Sequence, residues 1–239
     1  MSLRVAFDMD GTLADMDSVL RREAARLFGD DAQGPVADGV ATPEATAAAP
    51  SEAPPLAVAA ERALSHQQEA RLWAHVRRIE DFWTTLPELE PGVVARLAEV
   101  AQGRRWEVLF ITTRPSSAGD TTQRQTQRWL EAHGFRMPSV VVVQRSRGKM
   151  ADALHLDVVV DDRPENCLDV ALDSQARALL IWPGDKAQVP AGLTSMGVRP
   201  VASASEALTV IERLDDRRGQ SRVVRSLRKM LSMDDLDLP

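Results

Sequence analysis

Cysteine, lysine and long apolar runs are what this sequence has least of. Its one cysteine, Cys167, cannot close an internal disulfide. That fits a reducing compartment, and the residue reads as a small buried apolar side chain rather than a nucleophile. No apolar run approaches the roughly 20 residues that a spanning helix requires, so no membrane span is expected. The first residues enter a strand-like segment directly, with no signal-peptide pattern, and the expected location is cytoplasmic. Excess positive charge is missing too. A net charge of −6 leaves no global basic field to draw the chain to polymeric nucleic acid. Lysine occurs only as Lys149, Lys186 and Lys229. Arginine carries the remaining cations, a bias that, with abundant alanine, points to a GC-rich bacterial genome. His66, His75, His133 and His155 show neither metal-ligand spacing nor a neighbouring strand-end serine, so surface or core roles are expected for them.

What is present is a chain of 239 residues, 44% of them hydrophobic, long enough to bury a sizeable core. Residues 3 to 8, Leu-Arg-Val-Ala-Phe-Asp, read as a strand that opens at Gly11 onto a loop. A helix is expected from Asp17 or Ser18 to about Phe28. Residues 29–55 are rich in Gly, Pro, Ala, Thr and acids and read as a low-complexity insertion. One or two helices should follow between Leu56 and Trp83, and Pro91-Gly92 should open another that ends at Gly103. From there strands and helices alternate: strand 106–112, helix 121–134, strand 139–143, helix 149–154, strand 157–161, helix 164–173 and strand 178–182. A closing helix is expected over 203–214. Continuous apolar strands alternating with helices predict an α/β fold with a Rossmann-like parallel sheet covered by helices on both faces. The tail 217–239 carries basic residues at helical spacing before turning acidic, and reads as an amphipathic or flexible segment.

Four of these strands run into residues suited to phosphate chemistry, and ligands of open α/β sheets bind outside the carboxyl ends of the strands. Asp8 and Asp10, two apart in extended chain, face one side; a divalent cation such as Mg²⁺ relieves their repulsion and gathers phosphate oxygens. Thr112, Thr113 and Arg114 follow the second apolar strand and offer hydroxyls and backbone N–H groups. Lys149 follows the third; a lysine kept in an arginine-rich chain suggests that the ammonium matters there. Asp161 and Asp162 end the fourth, where paired acids are costly without a cation or protons.

In order and strand context these residues resemble the four motifs of the haloacid dehalogenase superfamily. The resemblance covers roughly residues 3–14 and 88–183. It implies a core of 1–14 and 88–216, with a helical cap of 15–87 inserted after the first strand. It also implies that Asp8 attacks phosphorus, that Asp10 protonates the leaving group and then activates water, and that Thr112 and Lys149 hold the phosphoryl group. Mg²⁺ would be held by Asp8, the backbone of Asp10, and Asp161 or Asp162. Phe82-Trp83, Thr112-Thr113-Arg114-Pro115 and Asp161-Asp162-Arg163-Pro164 are similar to the 5′(3′)-deoxyribonucleotidase family and its bacterial relatives. That similarity makes the expected substrate a small phosphorylated molecule, a nucleotide, with Phe82, Trp83, Thr113 and Arg114 contacting it. A homodimer is compatible with this reading. The alternatives are a phosphatase of another small metabolite and a non-catalytic member that binds a partner.

Overall fold

The computed structural model describes residues 2–29 and 64–234, with side chains through residue 219. The 29–55 insertion, apart from Gly29, lies outside the described residues, as do the side chains of most of the basic tail.

Six parallel strands form one sheet in the order β3-β2-β1-β4-β5-β6. They are β1 (Arg4–Asp8), β2 (Glu107–Thr112), β3 (Ser139–Val142), β4 (Val158–Asp161), β5 (Arg177–Ile181) and β6 (Arg199–Val201). Strands β1 and β4 are central and read Val-Ala-Phe and Val-Val-Val. Each of these side chains is buried, as expected where both faces of a parallel sheet are covered. The strand order reverses direction beside β1, between β2 and β4, and such a switch opens a crevice at the carboxyl edge.

The helices are α1 (Met16–Phe28), α2 (His66–Val76), α3 (Val93–Arg104), α4 (Thr122–Ala132), α5 (Arg147–Ala153), α6 (Pro164–Asp173), α7 (Ala191–Ser195) and α8 (Ala204–Asp234). One face of the sheet packs with α1, α2, α3, α4 and α8 through Phe7, Leu20, Trp73, Leu97, Trp129 and Ile211. The other packs with α5, α6 and α7 through Ala6, Val159, Ala151, Cys167 and Leu193. Local chemistry fixes the helix starts. The Asp15 side chain accepts from Ser18 N–H at α1, Ser65 and Gln68 make a reciprocal capping box at α2, and Pro164 occupies the first turn of α6.

Three features differ from the sequence expectation. The final helix does not stop at residue 214: α8 continues unbroken from Ala204 to Asp234. Strand β6, three residues around Pro200, was not expected; Pro is admissible there because β6 is an edge strand. Helix α5 begins at Arg147 rather than Lys149, since Ser146 caps it by accepting from Lys149 N–H. Among the described residues no helix is long and apolar enough to cross a membrane.

Candidate active site

A small cleft of about 50 Å³ lies at the carboxyl edge of the sheet, lined by Asp8, Asp10, Thr112, Thr113, Arg147 and Asp162, among others. Each comes from a strand end or from the helix start that follows one. Asp8 closes β1 and is 7% exposed; its Oδ2 accepts from Asp10 N–H at 3.1 Å and its Oδ1 from Arg147 Nη2 at 2.5 Å. The turn after it is compact: Leu13 and Ala14 N–H both donate to Met9 O. Gly11 sits at φ +81°, and a Cβ there would lie 2.2 Å from Asp162 Oδ2. A side chain at residue 11 would therefore be strained and would displace a carboxylate of the cleft.

Asp161 closes β4 with 1% exposure. It accepts from Arg163 N–H and from Asn166 Nδ2, and Arg147 Nε lies 3.6 Å from its Oδ2. Asp162 follows, its Oδ1 buried without a hydrogen-bond partner. Burial, joined by repulsion between Asp8 and Asp161, raises the Asp8 carboxyl well above its ordinary range, against the pull of Arg147. Burial also raises Asp161. Burial and the neighbouring Asp161 push Asp162 up to about 8. Three acids under this strain stand beside two guanidinium groups, Arg147 and Arg163, and Arg147 Nε and Nη1 are buried without hydrogen-bond partners; such a site is one that a cation relieves. Among the described residues, though, no three His, Cys, Asp or Glu side chains are drawn together closely enough to hold a metal ion by themselves.

Thr112 is buried at the end of β2; its Oγ1 accepts from Arg114 N–H at 3.2 Å, leaving its hydroxyl hydrogen free to donate. Thr113 lines the cleft beside it.

Four expected site residues lie elsewhere. Lys149 is exposed and does not line the cleft; Arg147, two residues earlier, reaches the carboxylates. Side chains two apart on a helix point about 200° from one another, so α5 can aim only one of these cations at the sheet edge. The start of α5 is fixed by Asp169 on α6, which accepts from the Ser146 hydroxyl and Gly148 N–H. A Cβ at Gly148 would lie 2.1 Å from Asp169 O, so only glycine lets the two helices meet this closely.

Arg114 does not face the cleft either. It is 2% exposed and grips Asp10, with Nε 2.8 Å from Oδ2 and Nη2 2.6 Å from Oδ1. Its Nη1 donates to Thr126 Oγ1, and its guanidinium lies 4.9 Å from the Trp83 ring centroid. Phe82 and Trp83 are buried in a 3₁₀ turn (Phe82–Thr84), ring to ring at 5.0 Å, with Trp83 Nε1 donating to Pro115 O. They line no part of the cleft.

Arg147 and Arg163, both of which line the cleft, were missed from sequence. The available signal was the helix phase after Ser146 and, for Arg163, its place directly after the paired acids.

No protein-family model matches the chain, and no curated protein matches it in sequence. Solved structures match in three dimensions. A HAD family hydrolase from Deinococcus radiodurans, solved with bound phosphate and sodium, aligns over 89% of this chain and 96% of its own at 14% identity and a TM-score of 0.51. A Thermotoga maritima protein assigned as a β-phosphoglucomutase aligns over 88% and 99% at 20% identity and a TM-score of 0.50. The chain shares its fold with these two structures, and in it carboxylates close the first and fourth strands in chain order, β1 and β4.

Proposed function

We propose that the chain is a phosphomonoester hydrolase in which Asp8 is the nucleophile. One observation carries this reading: a buried carboxylate at the end of the central strand with an arginine 2.5 Å from one oxygen, in a cleft lined by both polar donors and further acids. The uncommitted lone pairs of Asp8 attack phosphorus, the bond from phosphorus to the ester oxygen breaks, and an aspartyl-phosphate and an alcohol result. Asp10, entering this step as the protonated acid, gives its proton to the departing oxygen and is left as the carboxylate. It then takes one from the water that cleaves the acyl phosphate, regenerating Asp8 and releasing inorganic phosphate. Arg114 serves as a positioning residue, because its grip fixes where the Asp10 carboxylate stands. Arg147, Arg163 and the Thr112 hydroxyl meet the negative charge of the phosphoryl oxygens.

The strained acids and the orphaned Oδ1 of Asp162 suit a hard divalent cation, and Mg²⁺ is the expected one. Asp8, the Asp10 backbone carbonyl and Asp161 or Asp162 would hold it, as an ion that takes one or two carboxylates and completes its shell from substrate and water. Bound there, it would neutralise charge on the transferring group. Within this class, a nucleoside monophosphate is the favoured substrate, supported by the sequence similarity at residues 112–115 and 161–164 and not by Phe82 or Trp83, which are shut in the core.

Phosphate release from nucleoside monophosphates, sugar phosphates and p-nitrophenyl phosphate, with Mg²⁺ or with EDTA, tests the reading. Cation-dependent turnover that disappears in Asp8→Asn is expected. Turnover that survives Asp8→Asn would remove Asp8 from its role.

A further inference from the structure

Beside the small cleft runs a groove of about 780 Å³, sharing with it Gly11, Met16, Asp17 and Asp162. Its size is that of a small-molecule pocket, which ordinarily holds about 300–1,000 Å³. The walls away from the shared end are apolar: Leu89, 41% exposed, Ile181, Pro183 and the half-exposed Trp182. Trp182 begins the loop after β5, and its indole N–H donates to Asp185 O at 3.1 Å, which fixes the ring on that loop. The polar groups on the rim are acceptors or neutral: Asp15, Asp17, Glu90, Gln188 and Ser203. Among the described residues, no arginine or lysine lines the groove. The cleft itself, by contrast, has Arg147 and Arg163 on its lining.

From this partition of charge we infer that the groove receives the leaving group of the substrate. Its occupant has a ring-sized apolar body with hydrogen-bond donors and no second phosphate or carboxylate, and Trp182 is the residue that selects it. The inference rests on the phosphatase reading of the adjoining cleft and adds the class of alcohol released. A phosphoryl group in the cleft would meet two arginines, and the ester oxygen would leave past Gly11 and Met16 into the groove. There an indole face offers stacking area and two aliphatic walls exclude water. A second phosphate would carry about −1.5 to −2 charges into a space whose charged neighbours are carboxylates, and like charges brought together oppose binding. Monophosphates of nucleosides and of aryl alcohols fit; bisphosphates and nucleoside diphosphates do not.

The test uses the full chain as wild type, Trp182→Ala and Trp182→Phe. Substrates are a nucleoside 5′-monophosphate, the matching 3′,5′-bisphosphate, p-nitrophenyl phosphate and acetyl phosphate, which has no ring. Wild type should prefer the monophosphate over the bisphosphate in kcat/KM by about tenfold or more. Trp182→Ala should lower the ratio of ring-bearing substrates to acetyl phosphate by about tenfold, mainly through KM, and Trp182→Phe should restore most of it. Acetyl phosphate turnover with no such preference, or a ratio unmoved in Trp182→Ala, would overturn the groove while leaving the phosphatase reading intact. If no substrate is turned over, that reading fails, and calorimetric titration of the monophosphate and bisphosphate into Asp8→Asn protein decides the groove separately. Monophosphate binding weakened by Trp182→Ala supports it, and absent or indiscriminate binding overturns it.

Discussion

Arg147 holds its Nη2 2.5 Å from Asp8 Oδ1 because Asp169 of α6 pins the start of α5 through Ser146 and Gly148. Helix phase thus brings Arg147 to the carboxylates, where the sequence pointed to Lys149. Arg147→Ala should lower kcat/KM by about 10²–10³-fold, a loss of the size seen when one oxyanion-hole donor is removed. Lys149→Ala, on an exposed position, should stay within about twofold. Steady-state kinetics on the two variants check this; the opposite ranking would return the role to Lys149.

Arg114 and Asp10 form a pair whose side chains are 0% and 13% exposed. Removing one partner of so buried a pair costs about 3–5 kcal/mol. Arg114→Ala should therefore lose about 10 °C in melting temperature, at the 2–4 °C per kcal/mol expected for a chain of this size. Its kcat should fall with little change in KM, because Arg114 does not reach the cleft. Thermal denaturation with paired kinetics reads both; an intact melting temperature with a raised KM would mean that Arg114 contacts substrate.

The carboxyl of Asp162, pushed up to about 8 by burial and Asp161, binds its proton more tightly folded than unfolded. Such a group opposes folding increasingly as pH rises from the ordinary carboxylate range to about 8. In EDTA, the melting temperature of wild type should thus fall relative to Asp162→Asn between pH 5 and 8. Added Mg²⁺ should raise the wild-type value through preferential binding to the folded state, and raise Asp162→Asn less. Identical responses of the two proteins to Mg²⁺ would remove Asp162 from the cation's surroundings.

Asp157, just before β4, behaves oppositely. Burial works against its ionisation, but hydrogen bonds from Arg218 at 2.6 Å and Arg4 N–H at 2.9 Å hold its carboxyl below the usual range. Its contribution is present above the ordinary carboxylate range and is lost as pH falls through the lowered value. Asp157→Asn should cost no more than about 1 kcal/mol near neutrality, given solvent screening, and should flatten the acid limb of the stability curve. Urea titrations at pH 7 and pH 3 supply the comparison; an acid limb as steep as wild type would assign the effect to other groups.

The strand ends were legible in sequence because an apolar run closed by a polar residue is a local pattern: β1, β2 and β4 put Asp8, Thr112 and Asp161 at the sheet edge as expected. Which cation turns inward was not legible. It depends on where Ser146 starts α5 and how closely Gly148 lets α6 approach, and both are relations between segments. Phe82 and Trp83 entered through their similarity to a family motif, and they fold into a short 3₁₀ turn packed behind Arg114. Trp182 read as the last residue of a strand, and only the loop after β5 gives its ring a surface to line.

The contact chain from Trp83 through Arg114 to Asp10 joins the segment before α3, the exit of β2 and the exit of β1. With its members buried or nearly so, the turn that bears Asp10 cannot open while the centre of the molecule stays closed. On heating, inactivation should therefore coincide with global melting rather than precede it, and amides of residues 10–14 should exchange with solvent only at the rate of whole-molecule opening.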